Sequence, residues 1–164
     1  MIIFLSGFKN MEFPSNTNIV YIIYLRQKDK DIPFCYPFYV GQSSRHVGRL
    51  GDYISRQFTA SADFKVGEAI HYVQRQGLYV GVWYKETPNC KEEESDLINK
   101  LGRKYKLLNK LPGYDYLKAI EENERSKIQN FMSEVIDEYF ALLKRETPWA
   151  IQLSPPYYCY TRFL

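Results

Sequence analysis

The chain of 164 residues contains 45% hydrophobic and 25% charged residues, which is typical of a globular domain and excludes the disordered and membrane-spanning classes. Its formal net charge is only +3, but residues 1–114 carry 16 Lys and Arg against 11 Asp and Glu, whereas residues 115–146 carry 5 against 8. A polyanion is therefore expected to bind the first part of the chain, and the acidic segment is expected to face elsewhere.

The beginning of the chain predicts an irregular segment followed by two strands. Residues 1–17 contain turn-forming Gly, Pro and Asn, and the apolar start is too short for a signal sequence, so we expect a cytoplasmic protein. Residues 18–25 are β-branched and aromatic, which predicts a central strand covered on both faces. Residues 38–40 predict a second strand that breaks at Gly41 and forms an antiparallel hairpin with the first.

The stretch after the second strand predicts a helix with a basic face. On a helical wheel its apolar residues lie on one side, whereas Arg45, Arg49 and Arg56 fall almost in one line on the other side. Arginine holds phosphate oxygens in a bidentate fork, so this face suits a phosphate ligand. A solvated basic face without a ligand is the alternative.

The remaining elements predict an α+β fold. A helix that Asp63 caps is expected to end at Gly77, followed by a third strand over residues 78–84 and a helix from about Lys91. A long amphipathic helix from about residue 115 to 144 and an aromatic tail complete the order. We therefore predict a small domain at 18–114, with a three-stranded, mostly antiparallel sheet packed with helices. Residues 1–17 and 115–164 flank this domain.

Three consecutive glutamates begin the helix near Lys91, and the helical wheel separates them. Glu94 lies within the apolar arc, Glu93 near its edge, and Glu92 points away. A carboxylate on an apolar face is costly unless a cation satisfies it, so Glu94 is either one side of an internal salt bridge or a metal ligand. Three scattered cysteines and two histidines argue against a zinc site or a disulfide framework. Any metal would then be held by oxygen ligands, which favours Mg²⁺ or Mn²⁺.

Several short motifs occur in a familiar order along residues 18–112. They are Val20-Tyr21, Tyr39-Val40-Gly41, Arg49-Leu50, Tyr53, Glu94 with Leu97-Ile98, and Asn109 after Leu107-Leu108. In this order the chain resembles the GIY-YIG endonucleases. Ile19 replaces the glycine of the first motif, and Gln42 stands where many members carry a lysine.

The resemblance implies a metal-dependent DNA endonuclease and assigns a role to each motif residue. Glu94 would hold one Mg²⁺ (or Mn²⁺), and Arg49 would bind the charge that grows on the phosphoryl oxygens. Tyr21 or Tyr39 would position or deprotonate the attacking water, and Asn109 would orient the tyrosine or the substrate. His46 and Tyr53 are candidate helpers. A catalytically silent nucleic-acid-binding module of the same fold and a purely structural domain are the alternatives.

Two further predictions concern partners. Candidate contacts to the DNA backbone are Arg45, Arg56, Lys65, Lys104 and Lys106. An apolar stripe from Leu117 to Leu143 on the long helix is too broad to face water, so it either packs on its own domain or forms a homodimer through residues 115–146.

Overall fold

The computed structural model describes residues 18–27, 35–44, 53, 61–111, 122–144 and 158–160. The elements within these ranges are β1 (Ile19–Arg26), β2 (Tyr36–Ser43), α1 (Ser61–Arg75), β3 (Tyr79–Glu86), α2 (Cys90–Leu101), a 3₁₀ turn (Leu108–Lys110), α3 (Glu122–Lys144) and β4 (Tyr158–Tyr160). None of the helices in this part of the chain is long and apolar enough to cross a bilayer. The predicted arginine helix lies outside the described residues except for Tyr53.

The sheet is antiparallel, with the strand order β2-β1-β3-β4. The predicted α+β class with three antiparallel strands is confirmed, and β1 is central because both faces of this β-branched and aromatic strand are buried. The short β4 pairs with β3, so part of the predicted aromatic tail lies along the sheet. Strand β2 is the other edge strand of this sheet. Pro37, which has no backbone N–H to donate, is tolerated at such a position.

The predicted break of the second strand at Gly41 is wrong. Strand β2 continues to Ser43, and Gly41 and Gln42 pair with Tyr21 and Val20 of β1. The strand extends past the glycine because residues of β1 pair with Gly41, Gln42 and Ser43 through the backbone. The glycine has a packing role, because a Cβ atom at this position would collide with the ring of Tyr21.

Helix α1 begins at Ser61, two residues before the predicted cap Asp63, so Asp63 lies in its first turn, where an acidic side chain favours the helix dipole. The predicted end at Gly77 is confirmed. Gly77 has a φ of 77°, and the amides of Gly77 and Leu78 donate to the carbonyls of Gln74 and Val73. Glycine is needed here because this left-handed backbone costs other residues steric energy.

Helices cover both faces of the sheet. On one face, α1 and α3 pack against alternate residues of the strands, among them Tyr21, Ile23 and Tyr84. On the other face, α2 and the segment after it pack against Val20, Ile22, Tyr24, Val40 and Trp83. The two-residue alternation of a strand thus divides the core into two layers.

The apolar stripe on α3 is buried within its own chain. Ile128, Met132, Val135, Ile136 and Tyr139 belong to the same core as α1 and the sheet, and none is more than 9% exposed. Each such burial stabilises the fold by about 1.5–3 kcal/mol, which a dimer through the same side chains would have to give up. These five side chains therefore pack on their own domain, which was one of the two alternatives, and the homodimer through residues 115–146 stays a prediction without support from this packing.

Candidate functional site

Tyr21 of β1 lies over its cross-strand partner Gly41 of β2. A Cβ atom at position 41 would lie 2.5 Å from Cζ and Oη of Tyr21, so only glycine fits beneath this ring. The hydroxyls of Tyr21 and Tyr53 share a buried hydrogen bond of 2.6 Å. The ring of Tyr21 is thus held from below by the glycine backbone and at its tip by Tyr53.

Tyr39 completes a group that we call the tyrosine cluster (Tyr21, Tyr39 and Tyr53). The ring centroids of Tyr39 and Tyr21 lie 6.3 Å apart with a tilt of 48°, an ordinary geometry for an aromatic pair. Tyr39 is 9% exposed, whereas Tyr21 is 2% and Tyr53 is 1% exposed. Because it is the most exposed of the three, Tyr39 is the member best placed to reach a ligand.

Asn109 holds the strand that carries Tyr39 and Gly41. Its Oδ1 accepts a hydrogen bond from the Val40 amide at 2.9 Å, and its Nδ2 donates to the Val40 carbonyl at 2.7 Å. The side-chain amide thereby replaces a neighbouring strand at the open edge of β2. Asn109 therefore orients the backbone between Tyr39 and Gly41, whereas the sequence predicted that it would orient a tyrosine or the substrate itself.

The glutamates at the start of α2 have different surroundings. Glu93 accepts hydrogen bonds from Lys85 Nζ at 2.7 Å and from Thr87 Oγ1 at 2.6 Å, and these two donors lower its pKa. Glu94 is half-buried and makes no hydrogen bond or ion pair with any described residue, and burial raises its pKa. Glu92 is exposed. Among the described residues, the salt bridge at the start of α2 is therefore formed by Glu93 and not by Glu94.

The helix that carries Glu94 and the tyrosine cluster pack in different parts of the core. The apolar residues of α2 pack on the face of the sheet that carries Val40 and Trp83, whereas the three tyrosines belong to the opposite face. No hydrogen bond or ion pair within the described ranges joins Glu94 to a tyrosine. The described residues thus bring together Tyr21, Tyr39, Tyr53 and, through the backbone, Asn109, and no hydrogen bond or ion pair among them extends this group to Glu94.

The predicted phosphate contacts also fall into distinct environments. Lys65 is only 8% exposed and donates to the Leu111 carbonyl at 2.9 Å, so it ties α1 to the segment after the 3₁₀ turn and does not present its charge to a ligand. The prediction of a surface phosphate contact at Lys65 is therefore wrong. Lys104 and Lys106 are exposed as predicted. Arg45, His46, Arg49 and Arg56 lie outside the described residues.

The chain offers a metal ion few protein ligands in its described part. No group of three or more His, Cys, Asp or Glu side chains is assembled there. Glu94 is a half-buried carboxylate that pairs with no cation among the described residues, and Mg²⁺ commonly takes one or two carboxylates with waters and substrate phosphates as the other ligands. A single carboxylate at Glu94 therefore fits a magnesium ion that is shared with a phosphate ligand.

Two cations that the sequence reasoning passed over lie beside the predicted ones. Arg103 and Lys110 line the same cavity as Lys104 and Lys106. The signal was present as four Lys and Arg within residues 103–110, but their spacing fits neither a helix face nor a strand face. A turn and a 3₁₀ helix bring these side chains together, and neither has a simple periodicity.

Comparison of the chain with protein-family models, with curated proteins and with solved structures found no match.

Proposed function

We propose that the chain is a metal-dependent DNA endonuclease of the GIY-YIG type. The observation that carries the proposal is the packing of Tyr21 against Gly41 beside Tyr39, because the resemblance assigns its first two motifs to these residues. Two tyrosines on neighbouring strands, with a glycine that admits one ring and an asparagine that braces the edge, form a rigid support for a ligand-facing phenol.

Within this proposal Tyr39 and Tyr21 have different roles. Tyr39, the most exposed of the cluster, would hold the attacking water near the phosphate. Tyr21 would position the neighbouring backbone and ring, because its own hydroxyl is engaged with Tyr53. Arg49 would contact the non-bridging oxygens, where a fixed cation stabilises the transition state by a few kcal/mol.

Glu94 is the proposed ligand for the metal ion. Mg²⁺ bound there would neutralise charge on the phosphoryl group and on the leaving oxygen. A cation would be favourable here because the carboxylate is half-buried and no cation among the described residues compensates its charge. Glu93, two of whose acceptor sites are filled by Lys85 and Thr87, is less available.

A second candidate is a silent nucleic-acid-binding module of the same fold. It is favoured because the described residues show neither a hydrogen bond or ion pair between Glu94 and the tyrosine cluster nor a group of three or more metal-binding side chains. In that case the tyrosines and the basic residues would bind DNA without cleaving it.

Cleavage of supercoiled plasmid in Mg²⁺ and in EDTA distinguishes the two candidates. We expect nicks or breaks with Mg²⁺ only, and we expect Glu94→Gln to abolish them while Glu92→Gln, an exposed neighbour on the same turn, remains active. Tyr39→Phe should also lose activity but retain the fold. DNA binding without cleavage by the wild type would favour the silent module, and activity in Glu94→Gln would remove Glu94 from the mechanism.

A further inference from the structure

A cavity of about 390 Å³ lies between the segment that follows α2 and the outer face of α3. Its lining residues are Gly102, Arg103, Lys104, Tyr105, Lys106, Leu107, Lys110, Phe131, Glu134 and Glu138. Phe131, Glu134 and Glu138 are spaced so that they lie on one face of α3. We refer to this feature as the basic cavity, because four of its ten lining residues are Lys or Arg.

The wall that carries these cations is held in place by hydrogen bonds. The Lys106 amide donates to the buried Tyr36 hydroxyl at 2.8 Å, and the Tyr36 ring packs edge-on against Tyr105 with centroids 5.0 Å apart. The ammonium of Lys110 donates to the Gly102 carbonyl at 2.7 Å, which closes the end of α2. The cations therefore project from a braced segment, so ligand binding would cost little ordering of the backbone.

The charges around the cavity favour an anion. Glu134 pairs with Lys106 at 2.8 Å, and Glu138 is the other carboxylate in the wall. Arg103 makes no hydrogen bond or ion pair with a described residue, and Lys104 and Lys110 add two more positive charges. The lining thus contains four cations and two carboxylates, and Arg103 supplies the planar donor that suits phosphate oxygens.

The basic cavity is connected to the tyrosine cluster through one short segment. Leu107 and Lys110 line the cavity, and Asn109 between them holds Val40 beside Tyr39. A single segment thus braces the edge strand with one residue and presents cations with its neighbours.

We propose that the basic cavity binds a backbone phosphate of DNA, away from the phosphodiester that meets the tyrosine cluster. The inference rests on the proposed function, because it names a second contact for the same nucleic acid. In this arrangement Glu134 competes with the phosphate for Lys106, so it weakens binding and keeps the lysine in position while the cavity holds no phosphate.

The test is DNA binding by single-charge variants in EDTA, where no cleavage can interfere. The anisotropy of a short fluorescein-labelled duplex is titrated at several salt concentrations with the full-length protein. We expect Arg103→Gln and Lys104→Gln each to weaken binding by about threefold to tenfold and to lower the salt slope by about one. Glu134→Gln should tighten binding by about threefold, because it frees Lys106.

Matched controls separate local contacts from net charge. Lys144→Gln removes a positive charge from α3 ten residues, or about 15 Å, beyond Glu134. Glu124→Gln removes a carboxylate that, like Glu134, pairs with a lysine, about 15 Å before it. Both controls should bind DNA like the wild type. Equal effects in cavity variants and controls would overturn the proposal, as would a wild type that does not bind the duplex.

The plasmid assay keeps the two proposals distinct. A wild type that cleaves DNA, with cavity variants that bind like the wild type, would overturn the basic cavity alone. Cavity variants that bind more weakly, with a wild type that never cleaves, would support the basic cavity and leave the silent module as the function.

Discussion

The contrast between Glu93 and Glu94 leads to a sharp prediction about stability. The two side chains are adjacent on α2, and replacing either by glutamine removes one negative charge and almost no volume. Glu93 loses its ion pair with Lys85 and keeps only a neutral hydrogen bond to Thr87. Glu94 has no described partner to lose. Only the Glu93 variant is therefore expected to lower the melting temperature.

The magnitude follows from the contacts. The Lys85 and Glu93 side chains are 28% and 27% exposed, and a partly exposed ion pair of this kind stabilises by about 0.5–1 kcal/mol, with roughly as much again from charge-assisted hydrogen bonding to Thr87. We expect Glu93→Gln to cost about 1 kcal/mol, which lowers the melting temperature by about 2–4 °C for a chain of this size. Glu94→Gln should leave it unchanged or raise it.

The pH dependence has opposite signs at the two positions. Lys85 and Thr87 lower the pKa of Glu93, so its contribution is present at neutral pH and is lost as the pH falls through this lowered pKa. Burial raises the pKa of Glu94, so its ionised form destabilises the fold at neutral pH and this cost disappears as the pH falls through the raised pKa. Both variants should therefore approach the wild type in acid.

Thermal unfolding followed by circular dichroism, in EDTA at neutral and acidic pH, measures both effects. Added Mg²⁺ should raise the melting temperature of the wild type and of Glu93→Gln but not that of Glu94→Gln, if Glu94 is the ligand. A fall in melting temperature for Glu94→Gln as large as that for Glu93→Gln would refute the reasoning, because Glu94 would then have a stabilising partner.

Four further variants test the packing of the site and the core. Gly41→Ala and Gly81→Ala each place a Cβ atom within 2.5 Å of a buried tyrosine side chain, so both should lower the free energy of unfolding by about 1–3 kcal/mol. Only Gly41→Ala should also impair cleavage, because it displaces Tyr21. Equal nuclease activity in the two variants would contradict the proposed site. Asn109→Ala removes two hydrogen bonds to β2 and should cost about 2 kcal/mol in thermal unfolding, and an unchanged midpoint would count against it. Val135→Glu should abolish the cooperative unfolding transition, because it buries a charge in the core. A folded, monomeric Val135→Glu variant beside a dimeric wild type in sedimentation would instead support the homodimer.

The amino-acid sequence by itself determined the elements whose signal is local. The β-branched run of β1 and the helical spacing of α1 with its terminal Gly77 predicted elements that the structure contains. The wheel also placed Glu93 and Glu94 correctly relative to the apolar arc, because the geometry of one helix suffices for that.

Only the tertiary structure decided what these elements contact. Gly41 looked like a strand break, but the ring of Tyr21 from another strand is the reason for the glycine. The partner of Glu93 is Lys85, which comes from β3.

The apolar stripe on α3 is the clearest case in which the sequence does not reveal the contact partner. An apolar helix face has one pattern whether it packs on its own chain or on a second copy, since burial removes the same surface from water in both cases. The core shared by α1, α3 and the sheet selects the first arrangement. Local periodicity thus tells which residues are buried, whereas the partner that buries them depends on contacts between residues far apart in the chain.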